Sequence, residues 1–99
     1  MGTEATPHEV RALVAETQAI WDSKAASWDE RMGEGNQFHR VLVGPASERL
    51  LQIRPGEIVL DVACGNGVFS RRLAQLGAHV IALDFSPALL EYARARSTE

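Results

Sequence analysis

Between Ile58 and Asp84, 27 residues lay down a strand, a glycine loop, a helix, a second strand and a terminal acid, in that order. Ile58-Val59-Leu60-Asp61-Val62-Ala63 is β-rich with few polar residues, the pattern of a parallel strand buried on both faces. Cys64-Gly65-Asn66-Gly67 is a loop, and Val68 to Leu76 reads as a helix closed by Gly77 at its C-cap. His79 to Asp84 is the second strand. A βαβ unit of adjacent parallel strands sets both carboxyl ends at one rim of the sheet. The glycine loop and Asp84 are therefore expected side by side, and the chain is expected to be α/β.

The rest of the sequence reads as helices. Thr6-Pro7-His8-Glu9 is a helix start: Thr6 caps, Pro7 suits the first helical position and Glu9 completes a capping box. Val10, Leu13, Val14, Thr17, Ile20 and Trp21 follow at helical spacing. Trp21, Ala25, Trp28 and Met32 continue the pattern until Gly33-Glu34-Gly35 breaks it. A further helix is predicted over Phe38 to Ile53, kinked or restarted at Pro45, with Leu42, Ala46, Leu50 and Ile53 on its buried side. Ser86-Pro87 caps and opens a last helix with Leu89, Leu90 and Ala93 on one side. The division is residues 1–55 as a helical cap region and 56–99 as a βαβα unit.

Charge narrows the function. Ten Lys+Arg against thirteen Asp+Glu leave no basic excess to neutralise phosphates, which disfavours nucleic acid and a polybasic membrane surface. Apolar runs such as Val80-Ile81-Ala82-Leu83 are far shorter than the roughly 20 residues a membrane span needs. Glu4, Glu9, Arg11 and Glu16 occupy the stretch where a signal peptide has its apolar core, so a cytoplasmic protein is expected. Met1-Gly2 with Thr6 fits a loose myristoylation pattern, but no basic patch follows to secure one acyl chain. One cysteine excludes an internal disulfide, and His8, His39 and His79 lack ligand spacing, so no metal site is expected. Arg71-Arg72 reads as a solvated helix face.

The chemistry sits in the loop and the two strand acids. Glycines leave the main chain open to a ligand beside a helix N-terminus, and a carboxylate ending the second strand can accept bonds from two ribose hydroxyls. A dinucleotide site prefers Gly-x-Gly-x-x-Gly or Ala; here Ser70 holds the third position, after bulky Phe69. Asp61 inside the first strand would repel a pyrophosphate but suits an amine-bearing cationic ligand. Those two features favour S-adenosylmethionine over a nicotinamide or flavin dinucleotide. Cys64 reads as a small filler in the loop. The Trp21 and Trp28 stripe is compatible with core packing and with a lid.

Val59-Leu60-Asp61-Val62-Ala63-Cys64-Gly65-Asn66-Gly67 resembles the first motif of class I S-adenosylmethionine-dependent methyltransferases. Ile81 to Ala93 resembles the segment after it, and Trp21 to Asp29 the N-terminal helix that covers the cofactor in small-molecule members, such as the ubiquinone and menaquinone biosynthesis group. The resemblance implies that Asp61 organises the loop and the cofactor's amino group. It implies that Ala63, Cys64, Gly65 and Gly67 form the loop over the methionine part, that Asp84 binds ribose and that Phe85 packs on adenine. Trp28 stands where tyrosine is commoner, and Ala63 where glycine is. The implied fold is a Rossmann-like, doubly wound parallel sheet of which this chain is the N-terminal part. No proton acceptor is assignable, and the methyl acceptor is expected to be a small molecule. The chain alone is expected to be inactive, and to self-associate or need a completing chain. A non-catalytic interaction fragment and a dinucleotide oxidoreductase fragment are the alternative readings.

Overall fold

The computed structural model describes residues 3–97. Met1-Gly2, and with them the myristoylation pattern, lie outside the described residues. Four α-helices and a two-stranded parallel sheet follow one another as α1 (Pro7–Met32), a π-helical segment (His39–Val43), α2 (Gly44–Leu51), β1 (Ile58–Val62), α3 (Val68–Gln75), β2 (His79–Leu83) and α4 (Pro87–Arg96). The chain is α/β, and the strand-helix-strand order is the one the sequence pattern predicts.

The helix starts are set by local chemistry. At α1 the Thr6 hydroxyl accepts from the Glu9 amide at 3.1 Å while the Glu9 carboxylate accepts from the Thr6 amide at 2.7 Å, a complete capping box. Both apolar patterns upstream of Gly33 form one continuous helix of 26 residues. Ser86 caps α4 by accepting from the Leu89 amide, with Pro87 in the first turn. At the end of α3, Gly77 adopts φ +97°, its amide bonds to the Ala74 carbonyl, and the Ala78 amide bonds to the Leu73 carbonyl. That pair of bonds is a Schellman closure, and the buried Leu73 and Ala78 side chains accompany it.

Pro45 restarts the helix predicted over Phe38 to Ile53, one of the two outcomes expected there. It sits in the first turn of α2, where its missing N–H costs nothing, and the preceding turn widens to a π-helix. Leu42 and Leu50 are exposed rather than buried, while Ala46 and Ile53 are half-buried. Nothing among the described residues packs on that side of the segment closely enough to cover both leucines.

The strands are covered on one face and open on the other. Parallel register pairs Ile58 with His79, Leu60 with Ile81 and Val62 with Leu83, which places these six on one face, and all are exposed. On the opposite face Val59, Asp61 and Val80 are half-buried. A strand reads as apolar throughout when both its faces are destined for cover, and here the described residues cover one. The remaining hydrophobic core is thin: Leu73, Leu89, Ala25, Ala78 and Cys64.

Candidate functional site

The rim at the carboxyl ends of β1 and β2 gathers most of the sequence-predicted residues. Asp84 follows β2 directly. One of its carboxylate oxygens accepts from the Gly65 amide at 2.8 Å and the other from the Ser86 amide at 2.9 Å. The acid is thereby pinned between the glycine loop and the start of α4. A carboxylate offers about four lone-pair sites, so two remain for a diol. Phe85 beside it is largely exposed, and its carbonyl accepts from the Gln18 side chain of α1 at 2.6 Å.

The loop residues divide by role. Gly65 has φ +59°, and a Cβ there would approach only the Trp28 indole nitrogen, at 3.6 Å. It is the open position of the loop, with Trp28 beside it. Gly67, the N-cap of α3 with φ +80°, faces protein: a Cβ would meet the Arg71 guanidinium at 2.9 Å and the Ala93 methyl at 3.3 Å. It keeps α3 and α4 close. Ala63 takes φ +62°, a left-handed conformation that explains the kinship of this position with glycine.

Asp61 is tied to the helix after the loop. It accepts from the Ser70 hydroxyl at 2.5 Å, tying β1 to α3, and the loop amide is held by Asp84. Burial, first, and then the charges of Asp61 and Asp84 push the Cys64 thiol up from its usual range. It stays protonated at neutral pH, as a filler would. Trp28 meets Trp21 edge-on, ring centroids 5.6 Å apart.

Four residues that the sequence reading left out tie this rim together. Asn66 is 1% exposed and donates both amide hydrogens, to Asp29 at 3.0 Å and to the Gly33 carbonyl at 2.9 Å. Arg96 grips the Asp29 carboxylate with two bonds, at 2.6 and 3.0 Å. Asp22 accepts from the Ser86 hydroxyl and, at 3.3 Å, from the Ala88 amide. A signal was present: Trp21-Asp22 and Trp28-Asp29 repeat seven residues apart, two turns along one stripe of α1. Arg71 is also corrected. Its side chain is not solvated but lies against the loop, donating to the Asn66 carbonyl at 2.6 Å and to Glu34 at 3.1 Å.

Arg96, above all, holds the Asp29 carboxyl below the usual carboxylate range, against the opposing effect of burial. A depressed folded-state pKa contributes stability that is present above the unfolded value of about 3.9 and is lost as pH falls through the folded value. Thermal unfolding followed by circular dichroism should show this contribution unchanged between about pH 5 and 7 and failing below about pH 4. Asp29→Asn should remove that part of the acid limb; an acid limb identical to wild type would exclude Asp29 as its source.

Two clefts flank the residues that tie the rim together. One of about 570 Å³ runs between α2 and α3 and is lined by His39, Glu48, Phe69 and Arg72, among others. Its charges are largely paired, Arg72 with Glu48 and Arg71 with Glu34. The other, of about 450 Å³, lies between α1 and α4. No cluster of three or more His, Cys, Asp or Glu that could hold a metal occurs among the described residues, and no described helix is long and apolar enough to cross a membrane.

A parallel βαβ unit with a glycine loop after its first strand and an acid after its second is the arrangement that nucleotide-binding folds of the α/β class share. Residues 59–99 match the family model described as "Methyltransferase domain". That match spans the glycine loop and Asp84, two of the features on which the resemblance drawn from the motifs rests. The chain is 37% identical over 83 residues to a ubiquinone biosynthesis O-methyltransferase of Proteus mirabilis, a match covering 80% of the chain and 33% of that protein. It is 38% identical over 85 residues to a demethylmenaquinone methyltransferase of Clavibacter sepedonicus, covering 82% and 33%. A malonyl-[acyl-carrier protein] O-methyltransferase of Serratia marcescens is 48% identical over 52 residues, half of this chain and 20% of that protein. The chain spans about a third of the length of the first two relatives.

Proposed function

We propose that this chain carries the cofactor half-site of an S-adenosylmethionine-dependent methyltransferase acting on a small molecule. The observation that carries the reading is Asp84 pinned by the Gly65 and Ser86 amides, with lone pairs left for a ribose diol. Gly65 leaves the main chain open beside it, and the exposed Phe85 ring offers a flat apolar surface for adenine. Asp61 adds negative charge near the loop, which suits a ligand with an ammonium and a sulfonium and opposes a pyrophosphate. Cys64 and Ala63 shape the turn, Gly67 holds α3 against α4, and Trp28 stands over Gly65.

When bound, the cofactor supplies an electrophilic methyl group on sulfur; the protein's share is orientation and exclusion of water. Residues 1–55 act in this reading as a helical cap and 56–99 as the cofactor unit, in a cytoplasmic biosynthetic enzyme. The relatives' names favour a quinone-pathway or acyl-type acceptor, and two of the three name oxygen as the methylated atom.

Calorimetry with S-adenosylhomocysteine tests the site. Asp84→Ala should weaken binding roughly 5- to 150-fold, the loss of charge-assisted hydrogen bonds. S-adenosylhomocysteine should raise the melting temperature and NAD should not. Unchanged affinity in the variant removes Asp84 from the site, and stabilisation by NAD alone makes the oxidoreductase reading the better one.

A further inference from the structure

The glycine loop sets Gly65 and Gly67 at positive φ, which glycine adopts without a Cβ penalty. Between them Asn66 is enclosed, and its amide nitrogen donates to two acceptors. A flipped amide would set its oxygen against the Asp29 carboxylate and the Gly33 carbonyl, so its orientation is decided by the network. Asn66 also accepts from the Val68 amide at 3.3 Å, and its own carbonyl takes the Arg71 guanidinium. Arg96 of α4 clamps Asp29, and Glu34 joins Arg71 to Arg96 at 3.1 and 3.3 Å. One polar cluster, buried at Asn66 and Asp29 and open to solvent at Glu34, therefore joins the last turn of α1, the loop, α3 and α4. Asp29 adjoins Trp28, the residue nearest the open face of Gly65.

We infer that Asn66 is a positioning residue that latches the glycine loop to the C-terminal end of α1, anchored by Asp29 and Arg96, so that ligand binding at the loop and docking of the cap helix are one coupled event. The inference rests on the cofactor reading above. Its physical basis is entropic: a loop ordered before binding does not spend ligand affinity on being ordered. By linkage, a ligand that orders the loop must also hold down whatever the loop is latched to.

Hydrogen exchange of the full 99-residue chain with and without S-adenosylhomocysteine tests it. In wild type, ligand should slow exchange both at the loop and in α1 around Ala25 to Gly33. Asn66→Ala should raise Kd roughly tenfold and, at saturating ligand, keep protection at the loop while losing it in α1. Arg96→Lys retains a cation but not the two-pronged grip, and it should give a smaller change in the same direction even if Asn66→Ala does not fold. Arg72→Gln breaks an ion pair outside the cluster and should leave both readouts at wild type. The latch is overturned if the variants keep ligand-induced protection in α1, or if Arg72→Gln abolishes it equally. Absence of any binding by wild type overturns the cofactor reading and the linkage with it, an outcome distinct from binding without linkage.

Discussion

Replacing Leu73 by alanine should lower the melting temperature by at least about 10 °C, the larger of the stability losses expected here. Leu73 is 1% exposed and is the largest fully buried apolar side chain. It joins α3 to the start of β2 twice, through its packing and through its carbonyl, which accepts from the Ala78 amide. Removing three buried carbons costs roughly 2–5 kcal/mol, transfer and cavity together. A domain of this size has about 5–15 kcal/mol in all, and a core of five buried apolar residues puts this chain at the low end. Leu50→Ala is the matched control. Leu50 is 86% exposed, and its loss should cost no more than about 0.5 kcal/mol. Thermal melts of both variants decide the matter. Equal losses would mean that α2 is covered in solution and that the helical periodicity described its burial better than the structure does.

That pair of leucines marks where the sequence was legible. Local signals held: the Thr6 and Ser86 caps, the Gly77 closure and the strand-loop-helix-strand order depend on neighbours within a few residues. They are fixed by backbone chemistry that any context preserves. Burial of Leu42 and Leu50 was misread because periodicity records the side meant to be covered, not whether cover is present. The site was legible in part. Asp84 beside Gly65 followed from the parallel topology alone. The Asp29–Asn66–Arg96 cluster did not, because its members are 37 and 30 residues apart and each, read singly, is an ordinary polar residue. Arg71 was misread for a related reason: its guanidinium turns back along α3 to the Asn66 carbonyl, a direction that spacing does not encode.

The second large effect is association. Ile58, Leu60, Val62, Ile81 and Leu83 form one exposed apolar face, and His79 is the polar member of the six. Two strands expose an unpaired ladder edge on each side among the described residues. A two-stranded sheet with a bare apolar face is marginal by itself, and open edges template pairing with another chain. Purified 99-residue chain should therefore sediment as a mixture whose mean mass rises with concentration in the micromolar range. Leu60→Lys with Ile81→Lys puts two cations at the centre of that face, directly opposite each other in the register. It should weaken association at least about tenfold and leave α1 capping untouched. Burial of the face between copies would hide it from hydrophobic dyes at high concentration and expose it on dilution. A chain that stays monomeric across the range, with the face open to dye throughout, would show that edge pairing and apolar area of this size are insufficient here. An association unchanged by the two lysines would move the contact to the α1 surface, where Val10, Leu13 and Val14 are the next exposed apolar group.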